Sequence, residues 1–358
     1  MDFTAENSQT SRWASSPESS GAFARRSTSE VSRDALGVAP SPLARRHLSC
    51  RSGGEGRRVG QRITATNSAA DSAPRNRKDQ HVPETEAGSV DVVREIHDHY
   101  TDRHTEAERL LTTLKGRLEL QRLKDLLADH LPAAPAQIAD IGGGPGTHAL
   151  WLGELGHDVE LLDPVKRHVE QARAAGVKAT VGDARRLPWD NESKDVVLMA
   201  GPMYHLTEPA DRRVAVREAV RVLRPGGLLA VIAINRNANL IGSTLANTLQ
   251  DRREVVEDIL NDGFSFENER MAQTTYHTVA QLRSELAQFV DRVRMYGLTG
   301  PGGWLTVVID AHFKGVPLPD SIGDPDPLQT ALACSRLADK QPHLVHASSL
   351  LLAVGKRA

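Results

Sequence analysis

Cysteine, aromatic residues, long apolar runs and an excess of either charge are all scarce in this 358-residue chain. The two cysteines, Cys50 and Cys334, stand far apart and form no C-x-x-C pair. That argues against a disulfide framework or a zinc cage and fits a reducing, cytoplasmic compartment. No apolar run approaches the ~18 residues that span a bilayer, so no membrane helix is expected. Aromatics make up 4% of the chain, few parts for a nucleic-acid surface built on base stacking. The net charge of −2 provides no global attraction to an anionic partner.

Serine and arginine, by contrast, are crowded into one region. Residues 1–90 hold 15 serines and 12 arginines but one lysine, with almost no apolar periodicity. Such a segment cannot bury enough apolar surface to offset chain entropy, so 1–88 reads as a disordered tail. The cluster from Arg45 to Arg62 is interrupted by Glu55 and contains none of Phe3, Trp13 or Phe23, which favours a solvated tail over an RNA- or lipid-binding arm. Asp2, Glu6, Glu18 and Glu30 do not suit a transit peptide, and no apolar signal region follows Met1.

Beyond the tail, residues 89–131 read as a helical cap. One helix runs through Val93, Ile96 and Tyr100, and a second through Leu118, Leu120, Leu123, Leu126 and Leu127. His97, His99 and His104 lack a second histidine four residues on, so no metal site is expected. From 132 to 235, apolar strands alternate with helices at a period of roughly 20 residues, the pattern of a parallel sheet covered on both faces. The strands are Gln137–Ile141, Val159–Leu162, Ala179–Val181, Val196–Ala200 and Leu228–Ile234. The rhythm then breaks. Residues 236–289 read as a helical insertion, helical over 238–262 and again over Val279–Phe289. Residues 290–358 read as strands Val290–Leu298 and Ala347–Val354 with a helix over Leu328–Lys340.

The sharpest local feature is the run from Ile138 to Thr147, a strand leading through Gly142, Gly143, Gly144, Pro145 and Gly146 into a helix. Glycines there let the backbone pass close under a ligand, and the helix start favours negative charge. Gly144, Gly146 and Ala149 also satisfy the dinucleotide pattern G-x-G-x-x-G/A, with Asp163 about 20 residues on, so an NAD(P)-dependent oxidoreductase is an alternative. Three features oppose it. Asp140 ends the first strand, where a pyrophosphate would meet a carboxylate but a cationic ligand would be favoured. Pro145 interrupts the loop. A third acid, Asp183, follows the third strand, so Asp140, Asp163 and Asp183 all fall at the carboxyl edge of the sheet, where open α/β folds bind ligands.

These residues resemble the class I S-adenosylmethionine-dependent methyltransferases, most strongly over 132–235. The resemblance implies a doubly wound, Rossmann-like seven-stranded sheet with one antiparallel strand, Ala347–Val354. It implies S-adenosylmethionine as cofactor, with Asp140, Gly142, Gly144 and Gly146 beneath its methionine part. Asp163 would bind the ribose hydroxyls, and Asp183 with the Ala184 backbone the adenine. The stretch from Ala200 to Leu206 would border the methyl-transfer site. A narrower likeness, over 93–356, is to small, mostly actinobacterial methyltransferases with a Gly-Pro-x-Tyr-His-Leu stretch, here Gly201–Leu206. That group also has a Gly-Arg-Leu-Glu stretch, here Gly116–Glu119, and a late Gly-Pro-Gly-Trp-Leu loop, here Gly300–Leu305 with one extra glycine. Thr274–His277 resembles its Thr-x-Tyr-x-His segment, one residue shorter.

The resemblance leads to a small-molecule methyl acceptor, modified on N or O, as with a specialised metabolite. His205 is the first candidate for a general base, with Tyr204 beside it, because a hydroxyl acceptor benefits from a histidine near neutral pH. Packing over the cofactor is the competing role for both. Tyr276, His277, Trp304 and Arg117 are further candidates for contact with the substrate or the cofactor's carboxylate. A nucleic-acid methyltransferase is a second alternative. It is opposed by the absence of an Asn/Asp-Pro-Pro-Tyr/Phe stretch after the fourth strand and of a Pro-Cys pair.

Overall fold

The computed structural model of the chain describes residues 106–266, 272–312 and 326–358. The tail 1–88 and the helix expected through Val93, Ile96 and Tyr100 lie outside the described residues. The alternation is observed as five parallel strands: β1 (Gln137–Ile141), β2 (Asp158–Asp163), β3 (Lys178–Val181), β4 (Lys194–Met199) and β5 (Leu223–Ile234). β6 (Phe264–Ser265) and β7 (Thr274–Thr275) pair as a small separate ribbon. β8 (Asp291–Gly297) and β9 (Leu350–Lys356) complete a seven-stranded sheet of order β3-β2-β1-β4-β5-β9-β8. β9 runs antiparallel to both of its neighbours, so it is the one reversed strand.

Both faces of the sheet are covered, which is why β5 reads as an unbroken apolar run. Its alternate residues Leu229, Val231 and Ala233 join one core and Leu228, Ala230 and Ile232 the other. α2 (Leu114–Ala128), which follows the short α1 (Glu106–Thr112), covers the second face with Leu123, Leu126 and Leu127. On the same face lie α3 (Thr147–Glu154) and α4 (Lys166–Ala174), through Leu152 and Val169. The one-turn α5 (Pro202–His205) leads to α6 (Pro209–Val222), which covers the first face with Ala215, Val216 and Ala219.

Three boundaries differ from the sequence reading for visible reasons. β5 begins five residues earlier than expected, because Leu223 pairs with Lys194 before the Pro225-Gly226-Gly227 irregularity and Leu228 resumes opposite Val196. The helix expected over 238–262 is two helices, α7 (Ala238–Leu245) and α8 (Arg253–Asp262). Asn247, with φ +53°, turns the chain out of the helical region between them. α9 (Val279–Leu286) precedes β8, while α10 (Gly303–His312) and α11 (Pro327–Ala338) follow it. β9 starts later than expected because Pro342–Ala347 forms a 3₁₀ turn. Among the described residues, no helix is long and apolar enough to cross a membrane.

α2 is fixed from three sides. The Asp310 carboxylate accepts the free N–H groups of Leu114 and Lys115 at its start. The buried Arg122 donates to the Leu298 carbonyl and to Asp339. Leu118 packs against Leu328, Ala331 and Leu332 of α11. Against α1, Gly116 leaves almost no space: a Cβ there would stand 2.1 Å from the Arg109 carbonyl oxygen. In an unconstrained helix Gly→Ala is stabilising by about 1 kcal/mol. At this crossing the backbone clash reverses the sign, and Gly116→Ala is expected to destabilise the protein by about 1–3 kcal/mol in urea titration.

Candidate functional site

The strand order reverses between β1, whose successors run outward through β2 and β3, and β4 on its other side. Loops after β1 and β4 therefore diverge and open a crevice at the carboxyl edge. The glycine loop fills the floor of this crevice. Gly142, Gly144 and Gly146 have φ of +71°, +56° and +96°, where residues with a Cβ are strained. At Gly142 a Cβ would also lie 2.9 Å from Pro202 Cδ, and at Gly143 one would lie 2.5 Å from Asp140 Oδ2. The loop is thus pressed between the two strand ends.

The three acids have distinct surroundings. Asp163 is buried; its Oδ2 accepts the Gly144 N–H at 2.9 Å, and its Oδ1 accepts the Val165 N–H with His168 Nδ1 at 3.1 Å. Asp140 is fully buried behind Gly143, and neither of its carboxylate oxygens has a hydrogen-bond partner. Burial raises its pKa to about 7, and the charge of Asp163 pushes in the same direction. Asp183 is gripped by Arg185, whose guanidinium also reaches Asp211 at 2.7 Å. Asp163 and Asp183 border one cavity of about 980 Å³, partly open to solvent, together with the glycine loop and the apolar Leu162, Val165 and Ala184. Asp140 does not line it.

The end of β4 forms the opposite wall. Tyr204 Oη donates to the Ala200 carbonyl at 2.7 Å, and the Tyr204 and His205 rings lie 4.6 Å apart, centroid to centroid. Ala200, Tyr204 and His205 all face the cavity. Behind them the buried Arg212 donates to the carbonyls of Leu206 and Thr207 and forks onto Glu285 of α9. Burial works to raise the Glu285 pKa, but hydrogen bonds from His277 and Arg212 outweigh it and hold it at about 2.

Four sequence candidates fall elsewhere. His277 is fully buried beside Glu285, at 3.4 Å, and Tyr276 is buried with its hydroxyl 3.4 Å from Ser265 Oγ. Neither borders the cavity, because β7 carries them behind the β4 loop. Trp304 donates its indole N–H to the Ala347 carbonyl and packs beside Gly242 of α7. Gly300 and Gly302 of its loop serve contact with α11, where a Cβ at Gly302 would meet the Ala331 carbonyl at 2.1 Å. Arg117 is exposed on the outer face of α2, in a separate groove with Lys124 and Arg336.

The cap residues that do reach the cavity are Arg109, Leu110 and Glu119, and His148 of α3 joins them. Glu119 closes the Gly116–Glu119 stretch singled out in the sequence, two residues from Arg117 and so on the opposite, inner face. His148 stands two residues past the last loop glycine, and Arg109 has no local signature.

Residues 139–231 match the model of a methyltransferase domain family. The chain is 32% identical over 190 residues to an uncharacterised methyltransferase of Mycobacterium tuberculosis, covering 50% of this chain and 73% of that protein. It is 36% identical over 121 residues to the 27-O-demethylrifamycin SV methyltransferase of Amycolatopsis mediterranei, covering 31% and 43% respectively. Among solved structures, a methyltransferase of Thermotoga maritima described as a possible histamine N-methyltransferase aligns with TM-score 0.44 and 17% identity. That alignment covers 74% of this chain and 99% of the other, a likeness too distant to carry an inference.

Asp140 makes a prediction about pH. Its folded pKa lies above its unfolded value, so the folded state holds an extra proton between about pH 4 and pH 7. The stabilisation is complete below pH 4 and is lost as pH rises to 7, by up to about 4 kcal/mol. In urea titrations the stability of Asp140→Asn relative to the native protein is therefore expected to climb from pH 4 to pH 7 and then level off. A flat difference would show Asp140 to be ionised throughout.

Proposed function

Because the chain belongs to the class I S-adenosylmethionine-dependent methyltransferases, we propose that it methylates N or O of a small-molecule acceptor, such as a specialised metabolite. In this reading residues 132–235 are the cofactor core, 89–131 and 236–289 cap it, and 290–358 complete the sheet. The observation that carries the reading is the single cavity bordered by the glycine loop, Asp163 and Asp183 at the switch point. Its composition suits the cofactor. A polar loop whose glycines leave the backbone open adjoins two strand-end carboxylates and the apolar surfaces of Leu162, Val165 and Ala184.

When bound, S-adenosylmethionine supplies a methyl group on a positively charged sulfur, open to in-line displacement. The chain's own task is to bind, align and exclude water. Asp163 would hold the ribose hydroxyls, its orientation fixed by the Gly144 and Val165 amides. Asp183 and the Ala184 backbone would meet the adenine, with Arg185 setting the carboxylate plane. Tyr204 fixes the Ala200 carbonyl and so the wall on the acceptor side. A hydroxyl acceptor would pass its proton to the His205 imidazole, which Arg212 holds in place through the Leu206 and Thr207 carbonyls.

Two tests follow from these roles. Asp163→Ala removes the carboxylate that anchors the loop, and Gly144→Val forces a β-branched residue into φ +56°. Each is expected to abolish S-adenosylhomocysteine binding in calorimetry, and unchanged affinity in both would refute the cofactor assignment. His205→Ala is expected to lower turnover about 10²–10⁴-fold with cofactor affinity intact, the range for loss of a general base. Equal turnover would leave His205 as a packing residue.

A further inference from the structure

Tyr204 and His205 reach the cavity from α5, a single helical turn that is too short to hold its own shape. Both of its ends must therefore be held from outside. The first is tied to β4 by the Tyr204 hydroxyl on the Ala200 carbonyl. The second is held by Arg212 of α6. Its Nη1 donates to the carbonyls of Leu206 at 3.0 Å and Thr207 at 2.7 Å, the two residues that follow His205. The remaining nitrogens, Nε and Nη2, fork onto the two Glu285 oxygens at 3.1 and 3.0 Å. A guanidinium is planar, so the carboxylate on one edge fixes where the other edge points.

Glu285 is itself held from two further sides. On α9, Gln281 donates to its Oε1 at 3.2 Å, and His277 Nε2 stands 3.4 Å from its Oε2. An ionised carboxylate only accepts, which puts the His277 proton on Nε2. The His277 main chain is fastened to the end of β5, its N–H on the Ile234 carbonyl and its carbonyl accepting from the Arg236 N–H. None of Arg212, His277 and Glu285 borders the cavity. The Arg212 side chain is 3% exposed and that of Glu285 23%. A buried ion pair of this kind is a poor source of net stability, because desolvation offsets its attraction. It is a good source of direction, because every donor of the fork has one place to go.

We propose that Glu285 is a positioning residue for methyl transfer, acting through Arg212 to set where the His205 turn stands against the cavity. The role rests on the reading of the cofactor and of His205 given above. It makes the insertion 236–289 part of the reacting wall: α9 and the end of β5 reach His205 through Glu285 and Arg212, without a contact of their own in the cavity.

Two measurements on the full chain, saturated with S-adenosylhomocysteine, test this. The first is hydrogen exchange at the Tyr204, His205 and Leu206 amides, which bond to the carbonyls of Gly201 and Pro202. Glu285→Gln is expected to speed their exchange at least about tenfold, the scale of one lost hydrogen bond, while β1 and β4 exchange as before. The second is the spectrum of ¹³C-labelled histidine, in which the His205 ring is identified by its loss in His205→Ala. The native complex is expected to give one sharp His205 resonance and Glu285→Gln a broadened or split one, as the ring samples several positions. If Glu285→Gln fails to fold, Arg212→Met/Glu285→Leu, which buries no lone charge, is held to the same criteria. An unchanged, sharp His205 resonance, or exchange that rises equally throughout the fold, overturns the proposal and leaves the cofactor reading intact. Failure of the native protein to bind S-adenosylhomocysteine removes the cofactor reading, and the positioning role with it.

Discussion

The cavity depends on a single carboxylate. Asp163 ends β2 and accepts the Gly144 amide of the loop that follows β1, so two neighbouring strand ends are tied by a bond between a side chain and a loop. The Gly142 amide is held by the Leu162 carbonyl and the Gly146 amide by that of Gly143, while the left-handed Gly144 between them takes its hold from this carboxylate. The same carboxylate accepts from Val165 at the start of α4 and lies beside His168, which fixes the turn out of β2. Floor and one wall of the cavity are thereby set by one residue, the same one proposed to meet the cofactor's ribose. Fully bonded at rest, it has little freedom to be misplaced when the ligand arrives.

Charge in the site is arranged in layers. Asp140 sits deepest, without partners and easily protonated; Asp163 lies above it, held by amides; Asp183 and Glu119 lie at the edges, each matched by an arginine. Four acids around one cavity would repel one another if all were charged and unmatched. Arginines serve the outer two and backbone dipoles the third, while burial raises the pKa of the fourth to about 7. This gradation explains why the strand-end acid that looks most like a ligand group in the sequence is the least available in the fold.

Much of this was legible in the sequence where the signal is local. The glycine loop, the three acids at strand ends and the β4 turn through Tyr204 and His205 stand within a few residues of the elements that place them, and all but Asp140 reach the cavity. The antiparallel strand was expected from the resemblance and is observed as β9. What the structure places away from the cavity depends on contacts between distant segments. His277 and Trp304 have reactive side chains and motif-like neighbours, but Glu285 and the Ala347 carbonyl occupy them. Arg117 and Glu119 lie two residues apart on one helix, and nothing local tells which faces inward. Arg109 became visible only once Gly116 was seen to draw α1 against α2.

The position of β9 has a bearing on how the molecule assembles. β8 touches the sheet only through β9, which follows it by about 50 residues in the chain. As the polypeptide emerges, β1 to β5 can register with one another at once, whereas β8 must wait for its sole neighbour. Arg122 of α2 draws its partners from Leu298, just past β8, and from Asp339. One of the first helices in the described fold is therefore locked by some of the latest-made residues. Locking of α2 is a late event in the biosynthetic order, and a chain stalled before β9 would present the open edge of β5 to quality control.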